Sequence, residues 1–146
     1  MRAVSAKRDQ TSGDSAPRAS REIVSERLWA VRGAVQADRN DEPSILAATE
    51  QLMSELMSRN GLEPSDFVSV ILTCTDDLNA QFPAVGARAV GLDHVPLLCN
   101  RELDVPGAME RVIRVLAHYY APADHVPFHV YLGETWRLRA DLHSAQ

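Results

Sequence analysis

This sequence has no long apolar run, no closely spaced pair of cysteines and only one lysine. Each of these features limits the kind of protein that the chain can be. No apolar run approaches the ~20 residues that a membrane-spanning helix needs, so the sequence predicts no membrane span. Cys74 and Cys99 lie in apolar runs without paired spacing, which predicts two unpaired thiols in a reducing cytoplasm. His125 and His129 are four residues apart, but Pro127 between them prevents the helix that would align them as ligands. We therefore expect no metal site.

The distribution of charge argues against a nucleic-acid partner. The formal net charge is −5; residues 1–28 hold six Lys+Arg and four Asp+Glu, whereas the remaining residues hold nine and sixteen. Lys7 is the only lysine, so every cation of the acidic part is an arginine. Arginine binds carboxylates through two parallel hydrogen bonds, whereas lysine acts as a point charge. Arginines at inward positions of an acidic domain therefore favour a small anionic ligand.

The composition divides the chain into a tail and one domain. Residues 1–27 are rich in Ser, Ala, Arg and Asp and hold almost no large apolar residue before Ile23, which is typical of a disordered N-terminal tail. The acidic residues of the tail count against a transit peptide, and an apolar secretion segment is missing. Residues 28–146 have the length of a single domain with a buried core.

Hydrophobic periodicity predicts the elements of this domain. In order, they are strand Leu28–Val35, a helix capped by Asp41 and ended by Gly61, strand Phe67–Thr73, a short helix over 80–88, strand His94–Cys99, a helix from Pro106 to about Tyr119, and a hairpin of Phe128–Leu132 with Trp136–Leu142. This order predicts an α/β fold, an α+β sandwich of the ferredoxin-like βαββαβ kind with helices on one face of one sheet. The other face of so small a sheet needs cover, so we expect oligomerisation.

The stretch His94–Arg114 is the first candidate site. Its predicted strand ends in a short polar loop containing Glu102, and the helix predicted from Pro106 carries Arg114 toward the same crevice. Glu110 lies four residues before Arg114, so from spacing alone a surface ion pair on that helix is the simpler interpretation.

Arg32 is the second candidate, because it stands with Gly33 in an otherwise apolar predicted strand. A buried guanidinium needs a partner. A structural salt bridge or an edge position is one interpretation of Arg32, and an anchor for a ligand carboxylate is the other.

Short motifs along residues 29–142 suggest a family when they are taken together. They are Val31-Arg32-Gly33-Ala34, Thr75, Asp77-Leu78, Ala80, Phe82-Pro83-Ala84, Arg88, Val95-Pro96, Cys99, Glu102, Asp104-Val105, Ile113-Arg114-Val115, His129-Val130-Tyr131-Leu132, Leu138-Arg139 and Asp141-Leu142. In this order and at these spacings, they resemble the small α/β class of monofunctional chorismate mutase and not the all-helical class.

The resemblance implies a homotrimeric pseudo α/β barrel with active sites between neighbouring subunits. It also implies rearrangement of the substrate chorismate to prephenate, in phenylalanine and tyrosine biosynthesis, without a cofactor. The roles that it implies are substrate carboxylate binding by Arg32 and Tyr131, contact with the ether oxygen by Arg114, contact with the ring hydroxyl by Glu102 and Cys99, a pocket mouth lined or covered by Phe82, Ala84 and Arg88, and packing by Leu138. Val85 and Leu98 depart from the family pattern of a lysine and a hydroxyl residue, which implies altered substrate affinity.

The chemistry of a pericyclic rearrangement agrees with these residues. Such a reaction needs no nucleophile, base or metal, and the sequence contains no motif for one. It needs a flexible dianion held in a compact geometry and positive charge where the ether oxygen becomes negative. Two alternatives remain: a small-metabolite (imine) deaminase of the related trimeric fold, and a non-catalytic ligand-binding or regulatory module.

Overall fold

Five strands and two α-helices make up most of residues 25–139, the part of the chain that the computed structural model describes. The elements are β1 (Glu26–Gln36), α1 (Glu42–Asn60), β2 (Phe67–Cys74), α2 (Pro83–Ala89), β3 (Leu97–Arg101), β4 (Val112–Pro122) and β5 (Val130–Tyr131). Short 3-10 helices cover Pro64–Asp66, Leu92–His94 and Gly133–Arg139. Most of the predicted tail lies outside the described residues, and β1 begins at Glu26, before the predicted boundary at Leu28. No helix in the described range is long and apolar enough to cross a membrane.

β4 lies in the middle of the sheet, whose strand order is β3-β2-β4-β1-β5. It pairs antiparallel with β1 on one side and with β2 on the other. β3 runs parallel to β2, and β5 runs parallel to β1. The register places Arg114 of β4 between Ala34 of β1 and Thr73 of β2.

One face of the sheet is buried under the helices. Asp41 caps α1 by accepting a 2.8 Å hydrogen bond from the backbone N–H of Ser44, and Gly61 ends α1 at φ 62°, so both predicted ends are confirmed. The helix packs against the sheet through a fully buried apolar stripe, which consists of Ile45, Leu52, Met53 and Leu56.

Gly33 lets α1 and β5 approach β1 closely. A Cβ at this position would lie 2.8 Å from the carbonyl oxygen of Val130 and 3.0 Å from Cδ1 of Leu52. The approach to the backbone oxygen is too close for a Cβ, and the approach to the Leu52 methyl is tight, so the space beside Arg32 favours glycine. The short β5 can therefore pair with β1 at this point.

The opposite face of the sheet lies away from the buried stripe of α1. Strand alternation places large side chains there that remain partly exposed, with Leu28 at 48%, Leu98 at 57% and Tyr120 at 49%. The half-buried Arg32 and Arg114 lie on the same face. The prediction of an α/β fold with one sheet and helices on one face is confirmed.

The helix predicted from Pro106 to Tyr119 is wrong, because this segment is a loop followed by β4. Pro106 and Gly107 form a turn, with Gly107 at φ 82°. From Ile113 to Tyr119, every second side chain is buried and those between are half-buried, which is the period of a strand. The apolar spacing also fits a helix, but β-branched residues and pairing on both edges favour the extended form.

The predicted C-terminal hairpin is also wrong. Val130–Tyr131 pairs in parallel with β1, and Gly133–Arg139 forms a 3-10 helix instead of a returning strand. Glu134 and Arg137 form an i, i+3 ion pair at 2.8 Å, which suits a 3-10 helix because residues three apart eclipse there. The segment 140–142 lies outside the described residues.

Two other boundaries differ from the prediction. The strand predicted from His94 begins at Leu97, because Leu92–His94 form a 3-10 helix. The short helix predicted over 80–88 is present as α2 but begins at Pro83, where the fixed φ of proline suits a first helical position.

Candidate active site

A cleft of about 730 Å³ lies beside the loop that joins β3 to β4. Three charged side chains line it: Arg32 from β1, Glu102 directly after β3, and Arg114 from β4. The fold thus brings together the three residues predicted as the catalytic group, and we call this space the charged cleft. Its uncharged lining is Ile71, Thr73, Leu103, Val105, Ala108, Val115 and Leu116.

Arg114 and Glu102 form an ion pair inside the charged cleft. Nε of Arg114 lies 3.1 Å from Oε1 of Glu102, and the same oxygen accepts a 2.8 Å hydrogen bond from the hydroxyl of Thr73. The Nε–H of Arg114 is buried and is not aligned with any acceptor in the described range, so the contact is electrostatic and not a well-formed hydrogen bond. The side chains of Glu102 and Arg114 are 14% and 35% exposed, so water screens the pair only in part.

The predicted surface pair between Glu110 and Arg114 does not form. Residues four apart in a strand are separated by roughly 13 Å, and Glu110 precedes β4 whereas Arg114 lies within it. The carboxylate of Glu110 instead lies 3.8 Å from Nη1 of Arg111.

The loop after β2 fixes the start of β4. The backbone N–H of Val112 donates to Oγ1 of Thr75 at 3.0 Å, and that of Arg111 donates to Oδ2 of Asp77 at 2.9 Å. Arg111 has the left-handed φ of 52°, and its Nε donates to the carbonyl of Ala37 at 3.0 Å. These bonds hold an unfavourable backbone conformation and set the register of the strand that carries the cleft arginine.

Arg32 forms no ion pair with any residue between positions 25 and 139. Its backbone N–H donates to Nδ1 of His129 at 3.0 Å, which ties the segment before β5 to β1. Burial, together with the guanidinium groups of Arg32 and Arg139, lowers the pKa of His129. The His129 ring is therefore neutral at neutral pH and can accept this hydrogen bond. The Arg32 guanidinium can bind a ligand because it has no ion pair in the described range.

A second cleft, of about 620 Å³, lies between the start of α2 and β3. Phe82 and Cys99 line it, and we call it the Phe82 cleft. Nη2 of Arg101 lies 2.6 Å from Oδ2 of Asp76, and this guanidinium holds the pKa of Asp76 below its usual value. Burial raises the pKa of the nearby Cys74 thiol to about 11. The Phe82 cleft therefore offers an exposed aromatic ring and a protonated thiol. Its guanidinium, from Arg101, is already paired with Asp76.

The other predicted site residues line neither cleft. Tyr131 pairs by register with Ala34 and is half-buried on the face that carries the charged cleft. Leu138 is half-buried in the last 3-10 helix. Ala84 is buried in the core, and Arg88 is exposed in the last turn of α2. The roles assigned to these residues stay predictions.

Sequence reasoning missed Thr73 and the apolar side of the charged cleft. Leu103 is 88% exposed and Val105 is 57% exposed, although both are large apolar residues. Two large apolar residues within a charged loop are the sequence feature that could have indicated a ligand-binding surface. Thr73 offers a weaker indication, because a hydroxyl near the end of an apolar strand does not identify its partner.

The charged cleft combines two guanidinium groups with one carboxylate. It is therefore net positive, although the whole chain carries a formal charge of −5. Such a site can hold an anion with more than one carboxylate and can stabilise negative charge that develops on an oxygen. Glu102 can in addition accept a hydrogen bond from a ligand hydroxyl.

Comparisons with known proteins identify the family. The family model described as chorismate mutase type I matches residues 28–142. The chain is 44% identical over 119 residues to chorismate mutase AroH of Thermus thermophilus, covering 80% of this chain and 97% of that protein. It is 38% identical over 115 residues to chorismate mutase AroH of Bacillus subtilis (strain 168), covering 77% and 90%.

A solved structure agrees with these relatives. The fold matches a chorismate mutase from Clostridium thermocellum with a TM-score of 0.69 and 42% identity, over 73% of this chain and 96% of that one. None of these matches supports the imine deaminase or the non-catalytic module. The chain therefore belongs to the type I chorismate mutase family and is an isomerase of aromatic amino acid biosynthesis.

Proposed function

We propose that this chain rearranges chorismate to prephenate in the charged cleft. In this proposal Arg114 contacts the ether oxygen of the breaking C–O bond, Glu102 accepts the hydrogen bond of the ring hydroxyl, and Arg32 binds a carboxylate. The observation that carries the proposal is that these three side chains, from β1, β4 and the end of β3, line one cleft.

The reaction itself needs little chemistry from the protein. The ether C–O bond breaks while a C–C bond forms between the side chain and the ring, and the electron pairs move in one closed cycle. No proton, group or redox equivalent leaves the substrate. The enzyme contributes by holding the side chain over the ring in a chair-like geometry and by stabilising charge as the C–O bond lengthens.

Arg114 suits the second task because a guanidinium stays charged in a partly dry site. Its contact with Glu102 uses Nε, which leaves the two terminal nitrogens to donate to a ligand. Negative charge builds on the ether oxygen only as the bond breaks, so this interaction is stronger in the transition state than in the ground state. Loss of one such donor typically costs ~2.7–4 kcal/mol.

Arg32 suits the first task because chorismate carries two carboxylates. No residue of the described range forms an ion pair with Arg32, so binding a substrate carboxylate displaces no ion-pair partner in that range. The two arginines outweigh the charge of Glu102, and the cleft attracts a dianion despite the acidic chain.

We further propose a homotrimer in which the Phe82 cleft of one copy adjoins the charged cleft of its neighbour. The family resemblance implies one site that contains Phe82 and Cys99 together with the charged residues. In one copy of the chain, Phe82 and Cys99 line a different cleft from Arg32, Glu102 and Arg114, which supports a site shared between two copies. The exposed ring of Phe82 (67%) and the exposed Leu28, Leu98 and Tyr120 on the sheet face opposite α1 also favour contact with another copy. The free thiols of Cys74 and Cys99 support a location in the reducing cytoplasm.

A direct assay tests the proposed reaction. Purified full-length protein is mixed with chorismate in buffer without added metal or cofactor, and the loss of chorismate and the formation of prephenate are followed together. We expect saturable turnover with equal amounts of chorismate lost and prephenate formed. Chorismate consumption at the uncatalysed rate, or release of ammonia from an imine substrate instead, would contradict the proposal.

A further inference from the structure

Thr73 occupies a special position beside the charged cleft. It lies on β2 directly across from Arg114 on β4, and its hydroxyl donates a 2.8 Å hydrogen bond to Oε1 of Glu102. The same oxygen is the one that lies 3.1 Å from Nε of Arg114. One hydroxyl and one guanidinium thus share a single carboxylate oxygen.

We propose that Thr73 is a positioning residue that keeps Glu102 from forming a two-point pair with Arg114. This inference rests on the proposed function, in which both charged groups must face the substrate. It adds a residue that acts on the reaction through the carboxylate that it holds.

The geometry of the ion pair carries the argument. An arginine beside a carboxylate normally forms two parallel hydrogen bonds, yet here the Nε–H of Arg114 is not aligned with an acceptor in the described part of the chain. The hydroxyl of Thr73 takes a lone-pair position on Oε1 of Glu102 and so fixes how the carboxylate is turned. Oε2 of Glu102 then remains for the ring hydroxyl, and the terminal nitrogens of Arg114 remain for the ether oxygen.

Removing the hydroxyl removes this constraint. Glu102 can then rotate until both of its oxygens meet the Arg114 guanidinium, which is the more stable arrangement for the pair alone. That rotation would neutralise the positive group where the transition state needs it and would withdraw the acceptor from the ring hydroxyl. The expected loss is therefore mainly in kcat and less in KM.

Three variants and a matched control test the inference by steady-state kinetics with chorismate. In Thr73→Val and Thr73→Ala we expect kcat to fall roughly tenfold, the effect of a hydrogen bond to a charged group, with KM changed less than about threefold. Thr73→Ser retains the hydroxyl and should keep most of kcat. Thr49→Val is the control, because the buried hydroxyl of Thr49 donates to the carbonyl of Ile45 within α1 and Thr49 lines neither cleft. Its kinetics should match the wild type.

A binding measurement separates positioning from direct contact, since Thr73 itself lines the cleft. The ligand is a stable bicyclic dicarboxylate that is shaped like the chair transition state and keeps the ring hydroxyl. Calorimetry measures its dissociation constant. Thr73→Val should weaken binding roughly tenfold in the wild-type background but less than about twofold when Glu102→Ala is also present. An equal loss in both backgrounds would mean that Thr73 does not act through Glu102.

The outcomes distinguish this inference from the proposed function. Wild-type kcat in both Thr73→Val and Thr73→Ala, or a loss in Thr73→Ser as large as in Thr73→Val, overturns the positioning role while the wild-type enzyme still turns over chorismate. Absence of turnover in the wild-type protein overturns the proposed function instead.

Discussion

Nε of Arg114 and Oε1 of Glu102 lie 3.1 Å apart, although Arg114 is in the middle strand of the sheet and Glu102 follows an edge strand. The contact reaches across β2, which separates the two strands in the sheet. The cleft therefore depends on the register of three strands, and substitutions at this pair should change activity more than stability.

Glu102→Gln tests the charge of the acceptor at nearly constant shape. A hydrogen bond to an ionised acceptor is roughly twice as strong as one to a neutral acceptor, so we expect kcat/KM to fall about tenfold. The free energy of unfolding should change by about 1 kcal/mol or less, because the Arg114 side of the pair is 35% exposed. Kinetics and denaturant unfolding measure the two effects.

Glu55→Gln is the control for that substitution. Glu55 forms an exposed i, i+4 pair with Arg59 on α1 at 2.8 Å and lines neither cleft. It should leave kcat/KM unchanged. A similar loss of activity in both variants would show that general surface charge, and not Glu102, is responsible.

Gly33→Ala tests the close packing behind Arg32. The added Cβ would lie 2.8 Å from the Val130 carbonyl oxygen and 3.1 Å from Cγ1 of Val115, so the backbone of β5 must shift and the Val115 side chain must give way. Overpacking of this kind typically costs ~1–3 kcal/mol, and we expect a matching loss in the free energy of unfolding together with a raised KM. If the denaturant midpoint of the variant equals that of the wild type, the sheet accommodates the added methyl group and the prediction is wrong.

His129 should give the chain a specific pH dependence. Its pKa is lowered in the folded protein from the ordinary value of 6.5, so the unfolded chain binds a proton first as the pH falls. The free energy of unfolding should therefore decrease as the pH drops below about 6.5 and should level off below the lowered pKa of the folded state. Protonation also removes the acceptor of the Arg32 backbone N–H.

His129→Gln provides the comparison, because an amide oxygen can still accept that hydrogen bond and does not titrate. Unfolding curves are recorded across this pH range for both proteins. The variant should lose this part of the slope. An identical slope in the wild type and in His129→Gln would assign the pH dependence to another group.

Mixing two inactive variants tests whether neighbouring copies share the site. Arg114→Ala disables the charged cleft, and Phe82→Asp places a negative charge in the Phe82 cleft, where it repels a dianion. If each site uses one cleft from each of two copies, random reassembly of an equal mixture restores both intact halves in about a quarter of the sites. We expect that fraction of wild-type kcat after joint refolding, and none after separate refolding. No recovery would contradict a shared site.

Local signals in the sequence predicted the parts of the fold that depend on neighbouring residues. Asp41 and Gly61 mark the ends of α1 because capping bonds form within a few positions. The segment that became β4 carries apolar residues at spacings that fit a helix as well as a strand. Only its pairing with β1 and β2, distant in sequence, decides between them.

The same distinction applies to the candidate site, because some of its residues can be predicted from the sequence and others cannot. The family resemblance identifies Arg32, Glu102 and Arg114, but the helix predicted around Arg114 is strand β4 in the structure. Thr73 could not be named, because its partner Glu102 lies 29 positions away and nothing local links the two residues. Contacts across a sheet require the strand order, which the sequence pattern left partly undetermined.

The most direct test is kcat/KM for chorismate in Arg114→Ala and Arg114→Lys, with Arg59→Ala as a surface control and unfolding curves to verify the fold. We expect Arg114→Ala to lose roughly 10²–10³ in kcat/KM. Arg114→Lys should recover little of it, because a compact ammonium cannot reproduce the planar donors of a guanidinium. A folded Arg114→Ala variant that keeps most of the wild-type kcat/KM would show that the transition state does not depend on this arginine.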